Sequence, residues 1–510
     1  YDDLWFRANE VARALKASGV VHGTRVGLLM TNRLEFLSCL FGTALAGGVA
    51  TTISTFFTAP ELDAVLQASC CKVLLMERSV LKKDFGTVLV GLEPEIGSSP
   101  PGKLASSRYP FLTHIVQVDA DDGLGAVEGW PQFRARGRDV SQAVIDACAG
   151  AVCPSDPGAL FFSSGSTGKA KGILSAHRGI CLQLWRWQRW YGITDPPRTW
   201  SANGFFFSGN FTMALGGTLS SGGCLVLQRT FDPAAALPLI VAEKVSMLLA
   251  WPHQWPQLEA VTGYAEADLS SLKYMDGAFP LVRHPTVLAK WSEPRAYGNT
   301  ECFTLISVYP ACTPDSPIAG SHGLPTAGST IKIVDPLTGN AAPLGERGEI
   351  AIKGPTLMLG YIGIPLEDTL DDEGFLRTGD GGYLDVEGRL FWEGRLNDII
   401  KTGGANVSPI EVDAVLRDCP GVKICQSVGV PDALLGELVV SCIVPLPGDR
   451  ISEESVRSYA RERLASFKVP RRVLFFDEDE LQTTGSAKIK TADLRKLAQD
   501  RLKPEEQNDD

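Results

Sequence analysis

Apolar residues near the start of the chain change their period repeatedly, and that alternation restricts the fold more than any other feature. Residues 4–18, LWFRANEVARALKAS, carry apolar side chains at helical spacing and stop at Gly19. Val26–Met30 is a short apolar run of strand length, Leu34–Ala46 returns to the helical period, and Val73–Met76 reads as a further strand. Short buried strands separated by helices predict a parallel sheet covered on both faces, an α/β fold. Periodicity is weak over 90–150, where Ser99-Pro100-Pro101-Gly102 and Asp119–Asp122 mark exposed loops. The alternation resumes from 158, and Gly223–Leu227 and Val245–Ala250 read as buried strands with a helix between them. Over 330–394 the texture becomes short strands and turns (IKIVD, GEIAIKG, GYLD, RLFWEG), which predicts antiparallel, barrel-like β structure. After Arg395 it becomes α+β, with strands at Ser427–Val430 and Leu438–Val444 and a helix over Glu453–Ser466; the tail from Lys503 is polar and expected to fray.

A chain of 510 residues is too long for one hydrophobic core. The expected architecture is a large domain over 1–394, made of parallel α/β sheets plus the barrel-like part at 330–394. A small α+β domain over 395–510 follows, with the boundary at 395–397. The balance of 48 basic against 59 acidic residues gives a net charge of −11, with no long basic run, which argues against nucleic acid or an anionic membrane surface as main partner. The 12 cysteines are scattered, with one adjacent pair, Cys70-Cys71, and no CxxC. That usage suits a reducing, cytoplasmic location and gives neither a disulfide framework nor a zinc site. No apolar stretch is long enough to span a bilayer, and no signal peptide is read, although the chain opens on Tyr1 rather than Met.

The stretch FFSSGSTGKAKG, residues 161–172, follows the apolar run Ala159–Phe162. Glycines let backbone N–H groups approach an anion, hydroxyls add donors, and lysines add charge, so a phosphate cradle is one reading. A flexible surface loop is the other, and composition leaves the two even. Gly165 is separated from Gly168-Lys169 by two residues rather than the four of a Walker loop, so a kinase or GTPase cradle fits poorly.

The spacing does resemble the signature of the acyl-adenylate-forming superfamily, which contains acyl-CoA synthetases, peptide-synthetase adenylation domains and luciferases. Ser163, Ser164, Gly165, Ser166, Thr167 and Gly168, then Lys171 and Gly172, match it; Ala170 stands where the family usually has Pro. Four further segments follow in the family's order: YGNTE (297–301), RTGD (377–380), EGRLNDIIKTGGANVSPIEVD (393–413) and TTGSAKIKTADLR (483–495). Singly, each has an ordinary structural explanation, but together they extend the resemblance over essentially the whole chain.

The resemblance implies ATP, Mg²⁺ and CoA as ligands and a small-molecule carboxylic acid as substrate, with a homodimer as a possible assembly. By it, the 163–172 loop holds the β- and γ-phosphates. Tyr297 lies against adenine, with Gly298, Gly277, Ala278 and Phe279 nearby, while Thr300 contacts the α-phosphate region and Glu301 helps to hold Mg²⁺. Asp380 takes the ribose hydroxyls, and Arg395 reaches ribose or phosphate. Lys488 is the catalytic lysine, bridging the acid's carboxylate and the α-phosphate, with Thr167 and Glu301 as its partners. The small domain is mobile about the hinge at Asn397, where relatives more often have Lys or Asp. Gly403 and Gly404 suit a narrow passage for pantetheine, and Lys401 and Asn406 lie where relatives contact AMP phosphate or pantetheine. Phe207, Trp251, His253, Asp276 and Ala296 fall in the acyl pocket, and Phe207 replaces a common His. His253 and His177 read as packing residues, and the tryptophans of LWRWQRWYG as the packed face of a helix.

The implied activity is AMP-forming ligation of a hydrophobic carboxylic acid to CoA through an acyl-AMP. Delivery of the acyl group to a carrier protein's phosphopantetheine stays open, as does luciferase chemistry. The segment GFFFSG (204–209) lacks the acidic residue that meets an amino-acid ammonium, and 330–395 shows no insertion of the kind fatty acyl-AMP ligases carry. A non-catalytic nucleotide or acyl-CoA binding protein is the alternative of a different class.

Overall fold

The computed structural model describes residues 1–502, apart from 165–169, 252–253, 278, 397, 403–404, 433, 465–466 and 482–490. They form two compact units, Tyr1–Thr330 with Lys353–Phe375, and Ile331–Ile352 with Leu376–Asp510.

The first unit opens with the helix Asp2–Ala17, whose acidic first turn and Lys16 in the last turn complement the helix dipole. Its face of Ala8, Val11, Ala12 and Leu15 is buried against the helix Leu34–Leu45. The two axes approach at Gly42, where a Cβ would stand 2.7 Å from the Cβ of Val11, so any larger residue would force the helices apart. Beneath them runs an eight-stranded sheet in the order Gly360–Tyr361, Ala170–Ala176, Pro157–Ser164, Val49–Thr52, Arg25–Leu29, Val73–Met76, His114–Gln117, Val127–Gly129. From Pro157–Ser164 onward in this order the pairs are parallel. The strands Arg25–Leu29 and Val73–Met76 are buried almost throughout, as the continuous apolar runs of a two-sided parallel sheet require.

Two smaller sheets complete this unit: parallel Cys224–Val226, Arg198–Ser201 and Met247–Leu249, and antiparallel Arg295–Tyr297, Ser307–Tyr309 and Leu324–Pro325. The weakly periodic 90–150 stretch supplies the last two strands of the eight-stranded sheet, His114–Gln117 and the edge strand Val127–Gly129, together with the helices Glu95–Ser98, Trp130–Arg136 and Gln142–Gly150. Within the helix His177–Trp190, Trp187 is fully buried while Trp185 is exposed.

In the second unit, Thr330–Val334, Gly348–Lys353, Leu376–Leu384 and Leu390–Arg395 form a four-stranded sheet. The chain then builds Ala405–Val407, Ile400–Thr402, Gly436–Pro445 and Val422–Asp432 into a second sheet, with Arg472–Phe475 parallel to Gly436–Pro445. The helices Pro409–Arg417 and Glu453–Arg461 bury Val412, Leu416, Val456 and Ala460 in the core of that sheet. The second helix ends at Arg461, before the Ser466 expected from sequence. Among the described residues no helix is long and apolar enough to cross a membrane.

Candidate active site

The segment Tyr297–Thr304 is a tight turn leaving the strand Arg295–Tyr297. Tyr297 is 5% exposed, and Ala296 pairs with Val308 across the strand. Gly298 passes so close to the next turn that a Cβ there would stand 2.0 Å from the carbonyl oxygen of Thr304. Asn299 then caps the short helix Thr300–Cys302, its Oδ1 accepting from the Cys302 amide at 3.1 Å. Phe303 (φ 51°) and Thr304 (φ 92°) both sit at positive φ, which costs roughly 1–3 kcal/mol per non-glycine residue. Burial offsets that strain: Phe303 is 0% exposed and packs on Phe161 and Phe211 at ring separations of 5.8 and 6.0 Å. Thr304 Oγ donates to Thr212 Oγ at 2.8 Å. The turn is thus anchored to Phe161, in the strand that leads into the glycine-rich loop.

That strand, Pro157–Ser164, forms an antiparallel hairpin with Ala170–Ala176 in which Ser163 faces Lys171. The hairpin is where the expected cradle lies, but Gly165, Ser166, Thr167 and Gly168 fall outside the described residues, as does the side chain of Ser164. Lys171 is described. Its ammonium stands 5.1 Å from the centre of the Tyr361 ring. The Tyr361 hydroxyl donates to Glu301 Oε1 at 2.9 Å. Tyr361 reaches this position because Gly360–Tyr361 pairs with the outer edge of the same hairpin, opposite Ile173. One ring therefore touches both the cation of the 163–172 segment and the carboxylate of YGNTE. Sequence reasoning missed Tyr361: MLGYIGIP carries no charge, and its partner Glu301 is 60 residues away.

On the other side of the turn, the Thr300 hydroxyl meets Ser208 Oγ at 3.0 Å. This joins the turn to the aromatic segment 205–207, and Phe207 packs against Trp251 at 5.5 Å. Asp276, expected in the acyl pocket, accepts from the Glu293 amide at 2.7 Å through Oδ2. A Cβ on Gly277 would meet nothing within 4 Å, and Phe279 packs on Trp255 at 5.1 Å. Ala278 and His253 lie outside the described residues. His177 packs as expected: Gly158 lies against its ring, and burial lowers its pKa.

In the second unit, Asp380 and Arg395 are cross-strand partners, and Arg395 Nε stands 3.1 Å from Asp380 Oδ1. Asp380 is 4% exposed. Arg395 Nη1 also donates to the Thr378 carbonyl at 2.7 Å, and Glu349 holds the turn by accepting from the Gly379 amide at 2.8 Å. Burial raises the pKa of the nearby Asp398, against the pull of Arg495 and Arg395; Asp398 is a further candidate that sequence reasoning passed over. Lys401 and Asn406 are brought opposite one another on a short hairpin. Asn397, Gly403, Gly404 and Lys488 lie outside the described residues, as does the Asn406 side chain.

A magnesium site must be judged by the donors present. Among the described residues no cluster of three His, Cys, Asp or Glu side chains stands ready to hold a metal. Mg²⁺ usually arrives on phosphates with one or two protein carboxylates, and Glu301, oriented through one oxygen by Tyr361, supplies a hard ligand of that kind. The residues fit a nucleotide-borne Mg²⁺ and not an all-protein cage.

The family model described as AMP-binding enzyme matches residues 1–362, and that of the AMP-binding enzyme C-terminal domain matches residues 411–488. The chain belongs to the AMP-binding enzymes. Relatives in this family include a methyl-dioxo-octahydroindenyl-propanoyl:CoA ligase of Mycobacterium tuberculosis, 32% identical over 95% of this chain and 91% of the relative. A feruloyl-CoA synthase of an Amycolatopsis species is 31% identical over 97% of this chain and 93% of its own. Among solved structures, an anthranilate CoA ligase in complex with anthranoyl-AMP superposes with a TM-score of 0.74 at 25% identity, covering 97% of this chain and 91% of that one. The fold, mixed α/β with a larger N-terminal and a smaller C-terminal part, is that of the AMP-binding enzymes.

Proposed function

We propose that this AMP-binding enzyme is an AMP-forming carboxylic acid–CoA ligase acting on a hydrophobic acid. The observation that carries the reading is the meeting of Lys171 and Glu301 on one tyrosine, beside a Thr300 hydroxyl bonded to Ser208, in a chain that matches the family along its length. A cation, a hard carboxylate and a pair of hydroxyls gathered about the turn Tyr297–Thr304 form a set suited to a triphosphate.

A carboxylate is a poor electrophile, and attachment of AMP to one of its oxygens turns that oxygen into a good leaving group. The acid's carboxylate attacks the α-phosphorus, pyrophosphate leaves, and the CoA thiol then takes the acyl group and releases AMP. Two anions must approach in the first step, so fixed cations lower its barrier. Lys171 and the 163–168 donors hold the β- and γ-phosphates, Thr300 orients the α-phosphate, and Lys488 lies between carboxylate and phosphate. Tyr297 gives adenine a flat face. Asp380, oriented by Arg395, accepts from the ribose hydroxyls. Bound Mg²⁺ supplies charge neutralisation on the phosphates, with Glu301 as its protein ligand. The boundary at 395–397 serves as the hinge, and Gly403-Gly404 with Lys401 and Asn406 meet the pantetheine arm. All 12 cysteines are free thiols, which supports a cytoplasmic setting. A homodimer is the assembly to test by light scattering.

The direct test measures AMP and pyrophosphate released from ATP over a panel of aliphatic and aryl carboxylic acids, with and without CoA. AMP and acyl-CoA formed together only with CoA supports the ligase. Pyrophosphate release with accumulating acyl-AMP, indifferent to CoA, points to a carrier-protein acceptor. ATP binding with no turnover on any acid points to a non-catalytic protein.

Tyr361→Phe removes one hydroxyl and leaves the ring under Lys171. If the hydroxyl orients Glu301 for Mg²⁺, the magnesium concentration for half-maximal ATP binding rises about tenfold, as loss of an outer-sphere partner commonly causes. Calorimetric titration of ATP at graded magnesium reads this without turnover, and an unchanged magnesium dependence would rule the role out.

A further inference from the structure

The run Val49–Thr55 is buried throughout, yet the next residue, Phe56, leaves 42% of its surface exposed. Its ring is not isolated. It meets Phe206 edge-on, at 5.6 Å and 88°, and Phe207 at 6.1 Å, while Phe207 in turn meets Phe206 at 4.7 Å and Trp251 at 5.5 Å. Four rings from three separate segments thus form one tilted wall, and the wall reaches the residue next to Ser208, whose hydroxyl meets Thr300. The segment 203–207 is itself fixed. Asn32 Nδ2 donates to the Asn203 carbonyl at 2.8 Å, and Asn32 Oδ1 accepts from the Phe205 amide at 2.9 Å. Thr52 Oγ donates to the Phe206 carbonyl at 3.1 Å.

Phe56 lies in a turn and has no ladder hydrogen bonds to hold it. A lysine holds it instead. Lys83, on the hairpin Ser79–Val80 and Lys83–Asp84, sends its ammonium into the loop and donates to three consecutive carbonyls, those of Thr55 (3.1 Å), Phe56 (2.8 Å) and Phe57 (2.9 Å). All three ammonium hydrogens are used on backbone, and the charge is met by carbonyl dipoles rather than by a bonded carboxylate. Burial lowers the pKa of this lysine, the cost of drawing it off the surface. A cation spent this way fixes the loop, and with it the exposed ring.

We propose that Phe56, clamped by Lys83, is a specificity-determining residue that completes an aromatic wall with Phe206, Phe207 and Trp251, and that the acid taken by this enzyme carries an aromatic ring. This rests on the proposed function and on the acyl-pocket placement of Phe207 that the family resemblance implies. Rings tilted against one another leave faces and edges on which a further planar ring gains geometry-specific attraction; a flexible alkyl chain gains only buried area and loses more rotational freedom.

The test compares 3-phenylpropanoic, 3-cyclohexylpropanoic and nonanoic acids, matched in carbon number. CoA-dependent AMP release and acid binding followed by tryptophan fluorescence are measured together. The wild type is expected to favour the phenyl acid over nonanoic acid in kcat/KM, and Phe56→Ala to shrink that ratio about tenfold, chiefly through KM. Lys83→Met is expected to shrink it in the same direction and Lys83→Arg to restore most of it, with melting curves confirming that each variant folds. Equal losses for all three acids, or a Lys83→Met effect confined to kcat, overturn the inference. Turnover without a phenyl preference also overturns it while keeping the ligase. A phenyl preference in binding that Phe56→Ala removes, with no turnover on any acid, supports the wall and overturns the ligase reading.

Discussion

Lys488→Ala is expected to lower acyl-adenylate formation by about 10²–10³, the usual loss when one charged donor to a developing oxyanion is removed. The effect should sit in the first half-reaction. Pyrophosphate release from ATP and acid falls by the full factor, whereas thioester formed from supplied acyl-AMP and CoA falls far less, because the proposed role of the ammonium is to neutralise two approaching anions and no such approach occurs in thiol attack. ATP binding, measured by calorimetry, should persist, and its loss along with activity would mean that the lysine merely helps the fold or the nucleotide. An unaltered rate would remove Lys488 from the chemistry and throw the positive charge of the first step onto Lys171 and the glycine-rich loop.

The second large effect is on stability and lies in the C-terminal unit. Asp413, on the helix Pro409–Arg417, is 8% exposed. Its Oδ1 accepts from the Ser427 amide at 2.7 Å and from the Cys425 thiol at 3.7 Å. Burial outweighs these bonds and pushes its pKa up from 3.8 to about 7. Between those two values the unfolded chain has released the proton and the folded chain keeps it. The stability present below pH 4 is therefore lost progressively as pH rises through about 7. A shift of that size corresponds to roughly 4 kcal/mol. Asp413→Asn keeps an oxygen for the Ser427 amide and cannot ionise. It should match the wild type in denaturant unfolding at or below about pH 4 and be the more stable protein above pH 7, with a flatter curve between. A variant less stable at pH 8 would show that the ionised carboxylate is compensated, contrary to this reading.

The same unit shows how far local sequence carries. Asp380 and Arg395 are singled out by the motifs RTGD and EGR, and strand pairing sets them opposite one another. Their chemistry is legible because it resides in the side chains themselves. The cost of Asp413 is not legible. An aspartate in the middle of a short helix that also carries Glu411 and Arg417 reads as a solvated charge, and only the packing of that helix on Val422–Asp432 removes the water that would keep its pKa ordinary.

The alternation of helix and strand periods determined the parallel α/β layers, since an apolar run can be buried on two faces only between helices. The order of the glycine-rich, YGNTE, RTGD and C-terminal lysine segments determined the family and singled out Lys171, Thr300, Glu301, Asp380 and Arg395 as candidates. Tertiary structure alone decided what those residues touch. Tyr361 meets Glu301 across 60 residues, and Ser208 meets Thr300 across 92. Lys83 reaches back to a loop of carbonyls that no charge pattern announces. The physical reason is that residue type and period are local properties, whereas a hydrogen bond between distant segments depends on which strand joins which edge. Gly360–Tyr361 is only two residues long, and it brings a tyrosine to the candidate site by pairing with the hairpin that carries Lys171.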